Sequence, residues 1–279
     1  MTNSEDNHFS LPHEVTRYYE EGLEAQRLSG ALGQLELLRT KEIIDRYLPV
    51  PPATILDVGG GPGVYACWLA RDGHKVHLID PVPLHVEQAR QASEGQPECQ
   101  IASISLGDAR KLHQPDVSVD AVLMLGPLYH LTDREDRLLA LREAYRVLKK
   151  NGHVFAVGIS RFASLLDGLD RGILSDPKFM RIVQRDLTNG QHRNPTNELS
   201  YFTTAFFHHP EELASEVLET GFHLEKTLSI EGFAALLHDL DERWDDQDHR
   251  TLIMDAVRWV EDEPSILGIT GHLMAIGRK

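Results

Sequence analysis

Cysteine is scarce in this chain: Cys67 and Cys99 are the only two in 279 residues, and their spacing fits neither a zinc ribbon nor a redox pair. A disulfide-stapled fold is therefore excluded. Positive charge is also short. Lys and Arg number 28 against 43 Asp and Glu, a net charge of −15. Such a surface repels phosphate backbones and anionic lipid, so a broad nucleic-acid or membrane footprint is not expected, and only a local basic groove stays open. No apolar run approaches the roughly 18–20 residues that span a bilayer. The opening MTNSEDNHFS lacks a basic stretch followed by an apolar one, so no secretory leader is read there. Repeats and low-complexity tracts are missing too. What remains is 41% hydrophobic and 25% charged, enough to bury a sizeable core. The expectation is a cytoplasmic globular protein of one or two domains.

Hydrophobic period supplies the architecture. Leu28, Leu32, Leu35, Leu38 and Ile43–Ile44 recur at helical spacing, interrupted near Ser29–Gly30 and Gly33, which predicts two helices before Val50-Pro51-Pro52 stops them. Five short strands follow, at Thr54–Val58, Lys75–Asp80, Ile101–Leu106, Val119–Leu125 and His153–Ile159, separated by helical stretches. Alternation of that kind implies parallel pairing through right-handed crossovers. Thr132 and Glu135 are placed to form a capping box for the helix before the fifth strand. After Ser160 the alternation stops. Residues 161–209 read as an inserted cap, and a helix from Pro210 precedes a late strand pair, Phe222–Ile230 and Leu267–Ile276. The predicted organisation is a helical segment over 1–49, a core over 50–160, the cap over 161–209 and the rest of the core over 210–279.

The most informative stretch is ILDVGGGPGVY, residues 55–65. A buried strand runs into a glycine turn and then a helix, whose first N–H groups and positive dipole end face outward. Open parallel sheets bind ligands at the carboxyl ends of their strands, where this turn sits. From Gly61 the frame G-P-G-V-Y-A satisfies a relaxed dinucleotide fingerprint, so an NAD(P)-dependent oxidoreductase is one alternative. From Asp57 the same turn reads as an acid two positions before G-x-G-x-G, suited to the amino group of an amino-acid ligand.

In that second frame the chain resembles the class I S-adenosylmethionine (SAM)-dependent methyltransferases, and their bacterial small-molecule branch in particular. The motifs are ILDVGGGPG (55–63), LID (78–80), GDA (107–109), DAVLMLGPLYHL (120–131) and LREAYRVLKKNGHVFAV (141–157), with Asn151-Gly152 where the family has Gly-Gly. The resemblance implies an α/β fold: a doubly wound, mostly parallel seven-stranded Rossmann-like sheet with N-terminal helices, an inserted helical cap and the last strands running against the rest. It implies SAM as cofactor, with S-adenosylhomocysteine as its product. Gly59, Gly61 and Gly63 would line the methionine part, Asp80 the ribose hydroxyls, and Asp108 with Ala109 the adenine. Asp57 would sit beneath the turn and Gly126 beside the sulfonium. Residues 18–28 and 35–40 resemble helices that close this pocket, and either Arg27 or Arg39 would pair with the methionine carboxylate.

Methyl transfer needs an aligned nucleophile, and a base only where the acceptor must lose a proton. Tyr129 and His130, after the fourth strand, are the candidates for contact with substrate or proton; His209 reads as a helix-start residue. The WDDQD stretch (244–248) has no metal-ligand spacing, and no metal is expected. The aromatic run 201–207 fits either a roof over a small substrate or packing of the cap. The expected activity is methylation of an O, N or C nucleophile on a small molecule, with a non-catalytic SAM-binding protein as a further alternative. No oligomeric state is assigned.

Overall fold

The computed structural model describes residues 13–20, 28–196 and 198–279. β1 (Thr54–Val58), β2 (Lys75–Asp80), β3 (Ser103–Leu106), β4 (Val119–Met124) and β5 (Leu148–Ser160) lie in the order β3-β2-β1-β4-β5, all parallel. β1 and β4 are almost wholly buried, which requires helices on both faces and explains their continuous apolar runs. One face is covered by α6 (Arg134–Val147) and α9 (Pro210–Glu219), whose Leu141, Ala144, Leu213 and Val217 pack on Val122, Val154 and Ala156. The other carries α2 (Ala31–Asp45), α3 (Val64–Arg71) and α4 (Pro83–Glu94), with Ile43, Leu69 and Ala89 against Ile55, Leu78 and Phe155.

The sheet then reverses. β9 (His272–Arg278) runs antiparallel to β5, from His153↔Arg278 to Ile159↔His272, and β8 (His223–Ser229) pairs antiparallel outside it. A dinucleotide fold would place a sixth parallel strand there. The inserted region holds α7 (Ala163–Asp170) and α8 (Pro177–Asn189), and it also adds two short strands that its polar composition hides. β7 (Ala205–His208) extends the end of β5 through Ile159↔Phe207 and Ser160↔His208, and β6 (Gln191–His192) pairs with β7. Near the C-terminus α10 (Leu240–Asp245) and α11 (Gln247–Trp259) pack Trp244, Met254 and Val257 against Ala31 and Leu35 of α2. α1 (His13–Glu20) sits over the carboxyl edge, where Thr203 and Thr204 donate to Glu14 at 3.1 and 2.7 Å. Among the described residues no helix is long and apolar enough to cross a membrane.

Two local expectations are corrected. Gly33 is buried within α2, where tertiary packing overrides its poor helix propensity. The cap of α6 is Asp133, whose carboxylate accepts from the Glu135 N–H at 2.8 Å, so Thr132 does not form the box.

A buried ion pair joins the two helices on one face of the sheet, and the cap leans on it. Arg137 of α6 and Glu216 of α9 are each 2% exposed; the guanidinium donates through Nε and Nη2 at 2.8–3.1 Å and through Nη1 to the Leu131 carbonyl at 2.9 Å. Its face lies 3.8 Å from the Phe206 ring centroid of β7. Removing one partner leaves a buried charge, so Arg137→Leu is expected to lose about 3–5 kcal/mol in urea denaturation, and the double change with Glu216→Leu clearly less.

Candidate active site

The site is built on the turn after β1. Gly59 and Gly60 donate to the Ile79 carbonyl at 2.8 and 3.3 Å, which docks the turn on β2. Gly59 has φ +66, and a Cβ there would lie 2.8 Å from Pro127 Cγ. Gly61 has φ +54 with nothing within 4 Å of where its Cβ would be. That space is cavity. A glycine in the left-handed region that faces open room lets a ligand reach the backbone. Gly63, at φ +87, caps α3.

Two carboxylates flank the turn. Asp80 is buried, and its Oδ2 accepts from the Gly61 N–H at 2.9 Å, Oδ1 from the Val82 N–H at 2.8 Å, with His85 Nδ1 at 3.1 Å. These contacts hold the carboxylate in place and leave it further acceptor capacity. Asp57 is 1% exposed and its Oδ2 has no hydrogen-bond partner. Burial, with Asp80 nearby, pushes the Asp57 carboxyl up from 3.8 to about 7.

A cavity lies on one side of the turn and a smaller cleft on the other. The cavity is bounded by Gly59, Gly61, Asp80, Asp108, Ala109, Gly126, Tyr129 and His130; the cleft by Asp57, Gly60, Gly61, Leu28, Tyr65 and Tyr129. Asp108 lies at the cavity wall with its carboxylate turned to Arg110, which donates to Oδ1 at 2.9 Å and Oδ2 at 2.8 Å and bridges to Asp136. Gly126 opens α5 (Pro127–His130), a short helix that the motif DAVLMLGPLYHL does not announce.

Several candidates fall elsewhere. Arg39 is fully buried in α2, donating to Glu42 at 2.7 Å and also to Glu261. It lines neither space, so it is corrected from a ligand-binding residue to a tether between α2 and the C-terminal region; its partner Glu261 is far off in sequence. Arg27 lies outside the described residues. His130 bridges two elements: Nε2 lies 2.5 Å from Tyr19 Oη of α1 and Nδ1 3.4 Å from the Thr204 carbonyl. His209 caps α9, and Asp246 of the acidic stretch caps α11 by accepting from the His249 N–H at 2.9 Å.

Across Tyr19 and Tyr129, which line both, the cavity adjoins a chamber of about 680 Å³. Ile159, Ala163, Phe179, Tyr201, Phe202 and Phe207 give it an apolar and aromatic wall, and Arg171, Asp167, His192 and His272 add polar groups. Arg171 Nη1 donates to Asp167 and to the Ser200 carbonyl at 2.8 and 2.9 Å. Of the aromatic run, Tyr201, Phe202 and Phe207 face this chamber, whereas Phe206 stacks on Arg137. Nothing in the local sequence around His272 marks it. Only its register opposite Ile159, at the carboxyl end of β5, brings it here. Glu36, Glu231 and His272 have donor atoms within 4.8 Å of one another, a metal-capable group among the described residues. His272 Nδ1 and Glu231 Oε1 are 2.6 Å apart, the separation of a hydrogen bond that uses the lone pairs an ion would need.

Residues 56–156 match the family described as "Methyltransferase domain". The ubiquinone/menaquinone biosynthesis C-methyltransferase UbiE of Acidiphilium cryptum is 34% identical over 122 residues, 43% of this chain and 48% of that protein. A SAM-dependent Diels-Alderase of Talaromyces variabilis, iccD, is 30% identical over 169 residues, 59% of this chain and 54% of that protein. The chain thus spans about half the length of the curated relatives it matches. Among solved structures, a SAM-dependent methyltransferase of Methanosarcina mazei superposes with TM-score 0.58 at 19% identity, covering 85% of this chain and 96% of that one. One from Mesorhizobium loti gives 0.58 at 17%, covering 86% and 98%. At these identities the structural likeness speaks to the fold.

Asp57 gives the site a measurable signature. With its carboxyl at about 7 in the folded chain and 3.8 ordinarily, the fold holds a proton that the unfolded chain has released across the interval between. Stability therefore declines as pH rises from about 4 to about 7, by up to about 4 kcal/mol, and levels off above. The urea midpoint is expected to fall between pH 5 and pH 8 and to lose that component of its slope in Asp57→Asn.

Proposed function

We propose that this chain, whose residues 56–156 match a methyltransferase domain, is a class I SAM-dependent methyltransferase that moves a methyl group to an O, N or C nucleophile of a small, largely apolar molecule held in the chamber. The observation that carries the assignment of the site is the buried, unpartnered Oδ2 of Asp57 beneath a glycine turn whose other flank presents Asp80. An uncompensated carboxylate oxygen in that position calls for a cation, and the ammonium of a methionine group supplies one. Asp80, held by two backbone N–H groups, accepts ribose hydroxyls, while Gly61 leaves the backbone open to the ligand. When bound, SAM supplies an electrophilic methyl group on a sulfonium.

The chain's own residues then have two tasks. Tyr19 and Tyr129 stand where cavity and chamber meet, so they align an acceptor with the methyl donor and exclude water from the junction. The aromatic wall of Phe179, Phe202 and Phe207 favours a flat or apolar acceptor. A second reading, pericyclic ring closure beside bound SAM, is supported by the similarity to the Diels-Alderase.

Calorimetry should show S-adenosylhomocysteine binding to the wild type and at least tenfold weaker binding by Asp80→Ala, through loss of paired hydrogen bonds to the ribose. Equal affinities would mean that the turn is not the binding site. Methyl-labelled SAM incubated with the protein and a metabolite extract separates the two readings: label appears in an acceptor for a methyltransferase, and stays in SAM for a cyclase.

A further inference from the structure

Among the described residues that line the chamber, Asp167 is the only carboxylate and Arg171 the only guanidinium. Both belong to one helix face. Ala163, Ser164, Asp167 and Arg171 lie three and four apart along α7 and its last turn, the side that this helix gives to the chamber. Gly168 lets α7 sit close to its neighbours: a Cβ there would lie 2.6 Å from Phe179 of α8 and 2.7 Å from Leu174. Packing on Phe179, itself part of the chamber wall, thus fixes the face. Other polar groups nearby are committed elsewhere. His192 is engaged at both ring nitrogens, with Nδ1 2.8 Å from Asp186 Oδ2 and Nε2 2.9 Å from the Tyr201 carbonyl. Tyr201 donates its hydroxyl to Asp176 at 2.7 Å, and His272 is held by Glu231. Arg171 differs. Its bonds to Asp167 and to the Ser200 carbonyl both leave from Nη1, so Nε and Nη2 have no hydrogen-bond partner among the described residues. Ser164 adds a second open group: it is 6% exposed, and its buried Oγ has no partner either.

We infer that this face of α7 is a carboxylate-binding subsite, and that the acceptor is an aromatic acid whose carboxylate pairs with Arg171 while its ring lies against Phe202 and Phe207. Calling that molecule the acceptor rests on the methyltransferase reading; its chemistry rests on the chamber alone. The Nε–Nη2 edge of a guanidinium presents two parallel N–H donors at the spacing of the two carboxylate oxygens. A neutral amide offers one oxygen to the same edge. Arg171 is also tied to the Ser200 carbonyl, and Phe202 follows two residues later, so charge and ring meet at neighbouring points of the wall.

Asp167 does not close the subsite. It holds Nη1 alone, and a half-exposed pair four residues apart on a helix is weak. Together with the Ser200 carbonyl it fixes the plane of the guanidinium before a ligand arrives, which lowers the ordering cost of binding. A ligand oxygen that reaches Ser164 gives its orphaned hydroxyl a partner. The net charge of −15 works against any anion at long range, so preference for an acid has to come from contact with Arg171. About 680 Å³ is room for more than one ring, which leaves space for the part of the acid that meets the donor between Tyr19 and Tyr129.

The test is calorimetric, on the full chain saturated with S-adenosylhomocysteine at neutral pH, with three probes of similar shape: 2-naphthoate, 2-naphthamide and 2-naphthylmethylammonium. Wild type should bind the acid at least tenfold more tightly than the amide. Arg171→Leu should weaken the acid at least tenfold while leaving the amide and S-adenosylhomocysteine each within about twofold. Arg171→Lys keeps the charge without the fork and should retain only part of the preference, which gives a second variant should the first not fold. Equal binding of acid and amide by wild type, no binding of the acid, or an undiminished preference in either variant would overturn the subsite. Tightest binding of the ammonium probe would also overturn it, in favour of Asp167 as the recognising group. Wild-type protein that binds no S-adenosylhomocysteine removes the methyltransferase reading instead, a separate failure seen before any probe is added; the preference for acid over amide is then read on the unloaded chain.

Discussion

The antiparallel pairing of β9 with β5 is the constraint on which the site depends. Five parallel strands deliver their carboxyl ends to one edge of the sheet, so the turns carrying Gly59–Gly63, Asp80, Asp108 and Gly126 gather there. A strand that runs the other way brings its amino end to the same edge. The seven-residue ladder from His153↔Arg278 to Ile159↔His272 sets which residue arrives, and it is His272. A one-residue slip would turn that side chain to the opposite face of the sheet. The reversal also puts Gly271 and Glu231 beside the end of β5, where the cap begins.

The second organising element is negative charge held in low dielectric. Asp57 and Asp80 approach the glycine turn from below and beside it, and only Asp80 is compensated by backbone donors. Burial first, and the charge of Asp80 second, oppose ionisation of Asp57 and raise its carboxyl to about 7. A cationic ligand relieves both desolvation and repulsion. The pH-dependent cost of burying Asp57 and the ligand binding proposed for this turn therefore have one electrostatic origin. The net charge of −15 has the same sense across the whole molecule.

Periodicity made the core legible. The short β-branched runs at Thr54–Val58 and Lys75–Asp80 are readable to the residue, because local propensity and burial agree there. The glycine turn and its acidic flanks were readable for the same reason: few sequences tolerate that many glycines unless the backbone must be approached. What could not be read is made by contacts distant in sequence. Arg39 looked like a pocket residue until Glu261, on the far side of α11, claimed it. β6 and β7 are too short to show a period of two, and β7 exists because β5 offers it an edge. His130 was conspicuous through its place in a motif, whereas His272 has no local signal at all.

The similarity to known proteins is distributed in the same way as this legibility. The matched domain, residues 56–156, ends inside β5, before α7, the chamber wall and β9 begin. It contains Asp57, Asp80, Asp108 and Gly126 and stops short of His192, Phe202, Phe207 and His272. The part of the chain that carries the glycine turn and its carboxylates is thus the part shared with relatives of unlike names, a C-methyltransferase and a Diels-Alderase among them. A common donor site constrains the backbone turn and two carboxylates. A chamber constrains only volume, apolarity and one or two polar groups, which many sequences satisfy. Under the proposed function, selectivity for an acceptor would therefore rest on the cap and the reversed strand, which bring most of the chamber's side chains to Tyr129.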